Sequence, residues 1–454
     1  MAQTENSKGG TARWGLIIGG SIVIGGILTG NLSTYLLTPK PVAWEHIPAI
    51  AEKWQFTATG AVTGALALGD DGSLYAASED GFVYDVDSSG SLQWKFNAGP
   101  TLAGPAIGVD GTIYVTNKDE CTYAINRIGM QQWGIESSSH LALPIGVGSA
   151  LDQDHLYAPW NGQIRALPLN SRASDWTAGG IETNGSVAIL PNGLIVYPGE
   201  GRMDALDSTG RIVWQYPAMN PPPSADMLIS NGGQAPLGNF WLDSGIAVGG
   251  DGTLYAGAVD EPGNARRTNS RLVALTSDGM YKWEFHAETL SVNRATPVIA
   301  TDGTVYFGSG NAMLYALSSN GKKKWAVDTG AGILAMMLAE DGTVYVLNSS
   351  ALVAVSPDGK LLTRNPIAQL VEPPRAQVIA ISTEERKVLT KLPADTSVSP
   401  SPTLAADGTV YVGSHGGKVV AFAGTHGGLM NSPWPKFQGD LANSGRSPAL
   451  HAQK

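Results

Sequence analysis

A motif spelled Asp-Gly-x-hydrophobic-Tyr returns along almost the whole chain, and a repeat of that kind dictates an array of like units before any single residue is interpreted. Its clearest copy runs from Asp302 to Trp325, DGTVYFGSGNAMLYALSSNGKKKW. Asp302-Gly303 suits a tight hairpin turn with φ > 0 at both central positions, a region open to Gly and tolerated by Asp. Val305-Tyr306-Phe307 has the composition of a strand, Gly308 to Asn311 breaks it, and Met313 to Leu317 makes a second strand before Gly321 turns the chain toward Trp325. The anchoring tyrosines are Tyr75, Tyr114, Tyr157, Tyr197, Tyr255, Tyr306, Tyr345 and Tyr411. Their basal spacing is about 40 residues, the length of one four-stranded propeller blade, so the three longer gaps are insertions. Asn192-Gly193 replaces Asp-Gly in one unit, and Asp154 is a degenerate copy in another.

The next strand of each unit places a small residue between larger ones, as in Tyr123-Ala124-Ile125, Asp204-Ala205-Leu206 and Tyr315-Ala316-Leu317; Tyr84-Asp85-Val86 departs from this. Side chains alternate faces along a strand, so this pattern suits a sheet packed on both sides with uneven clearance. The last strand begins Gly-x-x-x-Trp, in the pairs Gly90/Trp94, Gly129/Trp133, Gly210/Trp214, Gly279/Trp283 and Gly321/Trp325; Trp176 lacks the glycine and Leu362 replaces the tryptophan of the seventh unit. No such strand follows the eighth unit in register, whereas Trp54-Gln55-Phe56 matches Trp94-Lys95-Phe96 and has no unit of its own. The expected fold is all-β: an eight-bladed β-propeller of four-stranded antiparallel blades, its ring closed by the N-terminal strand, which removes open edges.

These repeats resemble the quinoprotein-like (PQQ-like repeat) β-propeller family over residues 54–446, and Trp434 to Asp440 with Ser444-Gly445-Arg446 resembles a tail of many bacterial members. Length and regular blades are similar to the propeller subunit of the outer-membrane protein assembly machinery, which implies partner binding through loops on one face. The resemblance also raises a dehydrogenase holding pyrroloquinoline quinone and calcium in the funnel. The adjacent cysteine pair of large alcohol-oxidising members is excluded here, because Cys121 is the sole cysteine.

Ahead of the propeller, residues 14–37 form an uncharged stretch long enough to span a bilayer. A cleaved secretory signal is the competing reading, but no convincing small-x-small site follows Leu28. Lys8 and Arg13 before the stretch, against Lys40 after it, orient the N-terminus to the cytoplasm. The expected organisation is a cytoplasmic tail (1–13), a transmembrane signal anchor (14–37), a linker (38–53), the propeller (54–446) and a C-terminal tail (447–454). Its location is then the cell membrane, with one pass and the propeller periplasmic or extracellular. The chain's net charge is −10, and because residues 1–43 carry a net +2 (Lys8, Arg13 and Lys40 against Glu5), the remainder carries −12, which argues against nucleic acid as a partner. Cys121 cannot form an internal disulfide and is expected to be a small buried residue.

Catalytic and metal-binding patterns are absent: no His-Glu-x-x-His, Cys-x-x-Cys, Gly-x-Ser-x-Gly, P-loop or dinucleotide fingerprint occurs. Asp152 and Asp154 lack the further ligands of a calcium loop and read as a turn. No catalytic, cofactor or metal residue is assigned and no cofactor is expected. Binding is expected in the insertions Pro217 to Asp243, Asp260 to Ser270 and Asn365 to Thr396, because long loops on a rigid scaffold carry recognition. Phe240, Trp241, Arg266 and Arg267 are the candidate partner-binding residues. Within the third insertion, Val378 to Ile381 resembles either a degenerate extra blade or a loop hairpin. The function expected is a non-catalytic scaffold for envelope or membrane proteins; the alternatives are the quinone-dependent dehydrogenase and an extracellular glycan-binding propeller.

Overall fold

The computed structural model describes residues 52–101, 103–136, 148–160, 163–170, 174–178, 186–199, 202–216, 240–260, 269–290, 295–348, 352–359, 377–381, 388–393, 402–414, 416–423, 428–431, 436, 439–440 and 443. The chain divides into two compact units, Met1–Glu45 and His46–Lys454, and all described residues belong to the second. Every regular element among them is a strand, and among these described residues no helix is long and apolar enough to cross a membrane. Residues 14–37 lie outside the described residues.

Six antiparallel four-stranded blades follow one another, spanning residues 67–97, 106–135, 150–178, 188–216, 240–290 and 298–328. Within each, strands pair in sequence order, so the blade is an up-and-down meander. In the sixth blade the first strand, Val298–Ile299, is wholly buried, while the fourth, Lys323–Asp328, exposes its lysines. First strands are therefore innermost and fourth strands outermost. A three-stranded sheet comes next (Ile333–Leu338, Val344–Asn348, Leu352–Val355), and the hairpin Gln377–Ile381 with Val388–Pro393 lies beside its last strand. Val378 to Ile381 thus belongs to a hairpin, and Leu362 lies outside the described residues. The terminal blade combines Thr403–Leu404, Thr409–Gly413 and Lys418–Ala423 with Glu52–Thr57 from the other end of the chain, Trp54 pairing with Ala421.

The Asp-Gly turn differs from the expected one. Gly303 has φ of 77°, but Asp302 does not enter the positive region. The Gly303 N–H donates to Ala300 O at 3.0 Å and the Ala300 N–H to Thr304 O at 2.9 Å. That is a type I turn closed by a left-handed glycine, a three-residue hairpin loop. The aspartate serves the turn through its side chain: Asp302 Oδ1 accepts the Thr304 N–H at 2.8 Å, as Asp251 and Asp407 do for Thr253 and Thr409. In the third blade Asp152, rather than Asp154, has this role, accepting from the N–H groups of Asp154 and His155.

The Gly-x-x-x-Trp motif joins successive blades. Trp283 Nε1 donates to Ser319 O of the next blade at 3.0 Å, and its indole lies where a Cβ on Gly321 would stand, 2.6 Å from Cδ2. Gly321 also has φ of 81°, so two independent constraints require glycine there. Equivalent bonds run from Trp54 to Ser88, Trp94 to Arg127, Trp133 to Leu169, Trp176 to Ser208, Trp214 to Ser277 and Trp325 to Pro357. Beside them, aromatic pairs fill three blade junctions, Phe56–Tyr84, Phe96–Tyr123 and Phe285–Tyr315.

Candidate partner-binding face

Meander topology sorts the connections by end. Turns from first to second and third to fourth strand lie at one end of the strands, with the Asp-Gly motifs; turns from second to third strand and passages between blades lie at the other. Two of the insertions leave from this second, loop end, one leading into the fifth blade and one within it. Residues 217–239 join Ile212–Tyr216 to Phe240–Val248, and residues 261–268 join Leu254–Asp260 to Asn269–Leu275. The fifth blade is itself elongated toward that end: its strands have 9, 7, 7 and 10 residues, against 2, 4, 5 and 6 in the sixth. The first strand gains seven residues and the other three gain two to four each, which carries the blade roughly 10 Å past its neighbour.

Phe240 and Trp241 lie on this projection. They were expected within an insertion ending at Asp243; instead they begin the innermost strand, Phe240 paired with Asp260 and Trp241 with Val259. Aromatic residues favour the extended backbone, and pairing with the lengthened second strand overrides the loop reading. Arg266 and Arg267 lie outside the described residues, in the segment that follows Asp260. The strand register thus brings Phe240 and the root of the Arg266-Arg267 segment to the same edge of the fifth blade.

The base of the projection is braced by buried polar groups. Between Leu242 and Ile246 the register slips, and Ser244 Oγ compensates by accepting the Gly257 N–H at 2.7 Å and donating to Gly245 O at 3.0 Å. Arg271 is 6% exposed and its Nη1 lies 3.5 Å from Glu284 Oε2, while Glu284 Oε1 meets His286 Nε2 at 2.8 Å. Tyr216 of the fourth blade packs on this group; burial raises the pKa of its hydroxyl, and the Glu284 carboxylate adds to the effect.

Neighbouring blades carry buried charge as well. Arg202 holds fully buried Asp204 through Nε to Oδ1 and Nη2 to Oδ2, both at 3.0 Å, with Tyr197 and Gln215 donating to the same carboxylate. Arg165 stacks over Trp160; burial pulls its guanidinium down to about 10, opposed by Glu120. Arg165 and Asp204 occupy the position before the repeat alanine, where Tyr84, Tyr123 and Tyr315 stand in other blades. The sequence shows these exchanges, but only the blade junctions explain them. Cys121, expected to be buried, is only partly so.

Described residues of the chain's own tail lie against the innermost strands. Leu429 bridges Ala339 at the Asp-Gly end of the three-stranded sheet, and Lys436 bridges Met337 on its innermost strand. Asn443 then donates to Pro105 O at 3.0 Å and Ala65 O at 3.4 Å, just before the innermost strands of the second and first blades. Lys436 is completely buried, donating to Asn443 Oδ1 at 2.7 Å and Asp440 O at 3.2 Å, and desolvation lowers its pKa to about 8. The described tail residues thus meet the innermost strand of the three-stranded sheet and the chain just before the innermost strands of the first two blades. Among the described residues, no group of three or more His, Cys, Asp or Glu side chains suits a metal ion.

Comparison with known proteins agrees with this architecture. The crystal structure of BamB from Moraxella catarrhalis superposes with a TM-score of 0.59 at 17% identity, covering 84% of this chain and 99% of that one. The Dos1 propeller gives 0.57 at 13% identity, covering 84% and 97%. No curated protein matches the sequence. The family model described as outer membrane protein assembly factor BamB matches residues 49–189 and 199–372, more than half of the chain. On that match and its PQQ-like repeats, the chain belongs to the PQQ_2 family of BamB-like β-propellers.

Proposed function

We propose that this protein is a non-catalytic, membrane-anchored scaffold that holds protein partners in a cell-envelope complex through the loop end of the fifth blade. In this reading the propeller has eight blades, the hairpin 377–393 completing the three-stranded sheet and the Glu52–Thr57 strand closing the ring. Residues 14–37 cross the membrane once, with the N-terminus cytoplasmic and the propeller periplasmic or extracellular. The observation that carries the proposal is the fifth blade's elongation: its four strands rise together at the end where residues 217–239 and 261–268 leave it. An extended, internally braced sheet presents a contact surface with little ordering cost on binding. Phe240, Trp241, Arg266 and Arg267 are the residue types that dominate such contacts. Family membership supports an envelope assembly role.

The test is gentle detergent extraction of the tagged full-length protein from its own membranes. Co-elution of defined membrane proteins, lost on shortening residues 217–239, is expected. Elution as a lone monomer would sink the proposal.

A further inference from the structure

Away from the loop end, the Asp-Gly end of the second and third blades carries a surface of different character. Of the seven large apolar side chains exposed among the described residues, Val109 (81%), Ile128 (67%) and Met130 (57%) stand on two adjacent turns of the second blade. A groove runs beside them in two parts. One, of about 610 Å³, lies between the blades, with Val109, Asp110, Gln132, Asp154, His155 and Asp175 in its walls. The other, of about 270 Å³, shares Asp110 and Gln132 and is bordered by Arg127 and Ile128.

One carboxylate in this groove, Asp110, lacks a lysine partner that three other blades provide. In the fifth, sixth and terminal blades, the lysine directly before the tryptophan reaches back to the aspartate of the Asp-Gly turn: Lys282 to Asp251 at 3.4 Å, Lys324 to Asp302 at 3.2 Å and Lys53 to Asp407 at 2.8 Å. In the second blade that position is Gln132, and the hydrogen bonds reaching Asp110 among the described residues come from Thr112. In the third blade the position is Asp175, an acid where the lysine should be; it meets His155 Nε2 at 2.8 Å, with Asp152 Oδ1 3.9 Å from Nδ1. Arg127, the nearest cation on the rim, is drawn to Asp71 of the first blade at 3.6 Å. An exposed apolar rim beside Asp110, which lacks the repeat's lysine, with the carboxylates of Asp154 and Asp175 in the same walls, defines the missing occupant by charge complementarity.

We propose that this groove docks an extended basic segment of a partner protein, whose lysine or arginine takes the place of the absent lysine at Asp110 while flanking apolar side chains cover Val109, Ile128 and Met130. This site is separate from the loop end, and the two can fail independently.

The probe is a fluorescein-labelled Leu-Lys-Leu-Arg-Leu peptide, with Leu-Glu-Leu-Glu-Leu as its acidic counterpart, titrated by anisotropy against the full-length protein in detergent at low salt. Saturable binding of the basic peptide alone is expected. Gln132→Lys, which rebuilds the repeat's own contact inside the groove, should weaken it about tenfold or more, as should Asp110→Asn combined with Asp175→Asn. Val109→Ser should weaken it as well, and shortening residues 217–239 should leave it unchanged. Unchanged circular dichroism and thermal midpoint identify the variants as folded. Equal affinity for both peptides, no saturation up to about 1 mM, or wild-type affinity in a folded Gln132→Lys protein would overturn the proposal.

Discussion

Replacing Gly321 by alanine tests how one blade is fastened to the next. Gly303, in the same blade, is the internal control, since both glycines have nearly the same backbone, φ of 81° and 77°. An alanine at either site pays about 1–2 kcal/mol for the left-handed conformation. At Gly303 the nearest atom to the new methyl is Ser319 Cβ at 3.7 Å, an ordinary contact. At Gly321 the methyl would stand 2.6 Å from Cδ2 of Trp283, whose indole is tied to Ser319 O. Relieving that clash means displacing a packed aromatic, about 1–3 kcal/mol more. Gly321→Ala is therefore expected to cost about 2–5 kcal/mol against about 1–2 for Gly303→Ala. Urea unfolding followed by circular dichroism measures both. In a Trp283→Ala background the extra loss at Gly321 should vanish, because the obstructing ring is gone. Equal losses at the two glycines, or an undiminished loss at Gly321 without the indole, would refute the stacking argument.

Two further predictions concern buried charge. Asp85 stands where the other units have a small residue, and burial raises its pKa to about 6. The folded state then keeps a proton that the unfolded chain releases near pH 4, so stability is highest below that pH and falls as pH rises toward 6, by up to about 3 kcal/mol. Asp85→Ala should remove this slope and raise the pH 7 midpoint; an unchanged slope in chemical denaturation across pH 4 to 7 would contradict the assignment. Asn443→Ala removes the 2.7 Å acceptor of the buried Lys436 ammonium and should cost about 2–3 kcal/mol at pH 7. With its pKa lowered to about 8, Lys436 is neutral in the folded protein above that pH, so native stability rises from pH 8 toward 10.5 and the cost of Asn443→Ala shrinks at pH 10. A loss that is the same at both pH values would place Lys436 outside this network.

Blade boundaries were legible because each motif residue answers a local demand. Glycine is required by the turn's backbone, tryptophan by the next blade's glycine, and alanine by the clearance between sheets, so their spacing carried the fold. Even the pairing of Trp54 with Ala421, across the whole chain, followed from Trp54 lacking a unit of its own. What remained hidden depends on neighbours distant in sequence. Phe240 and Trp241 read as loop residues because their strand exists only through pairing with the equally lengthened Leu254–Asp260. Lys53, Lys282 and Lys324 each stand directly before a motif tryptophan, a visible regularity whose meaning appeared only when the ammonium was seen on the turn aspartate. The tail resembled that of other family members, but burial of Lys436 against Asn443 could not be read from spacing.

The central claim is that the loop end of the fifth blade grips a partner, and photo-crosslinking in the native membrane tests it most directly. A photoreactive residue placed at Trp241, at the loop end, is compared with one at Met280, an exposed position at the opposite end of the same blade. The account predicts a discrete crosslink to a membrane protein from position 241 and none to that protein from 280. The same crosslink from both positions, or none from 241 in protein that folds normally, would contradict it.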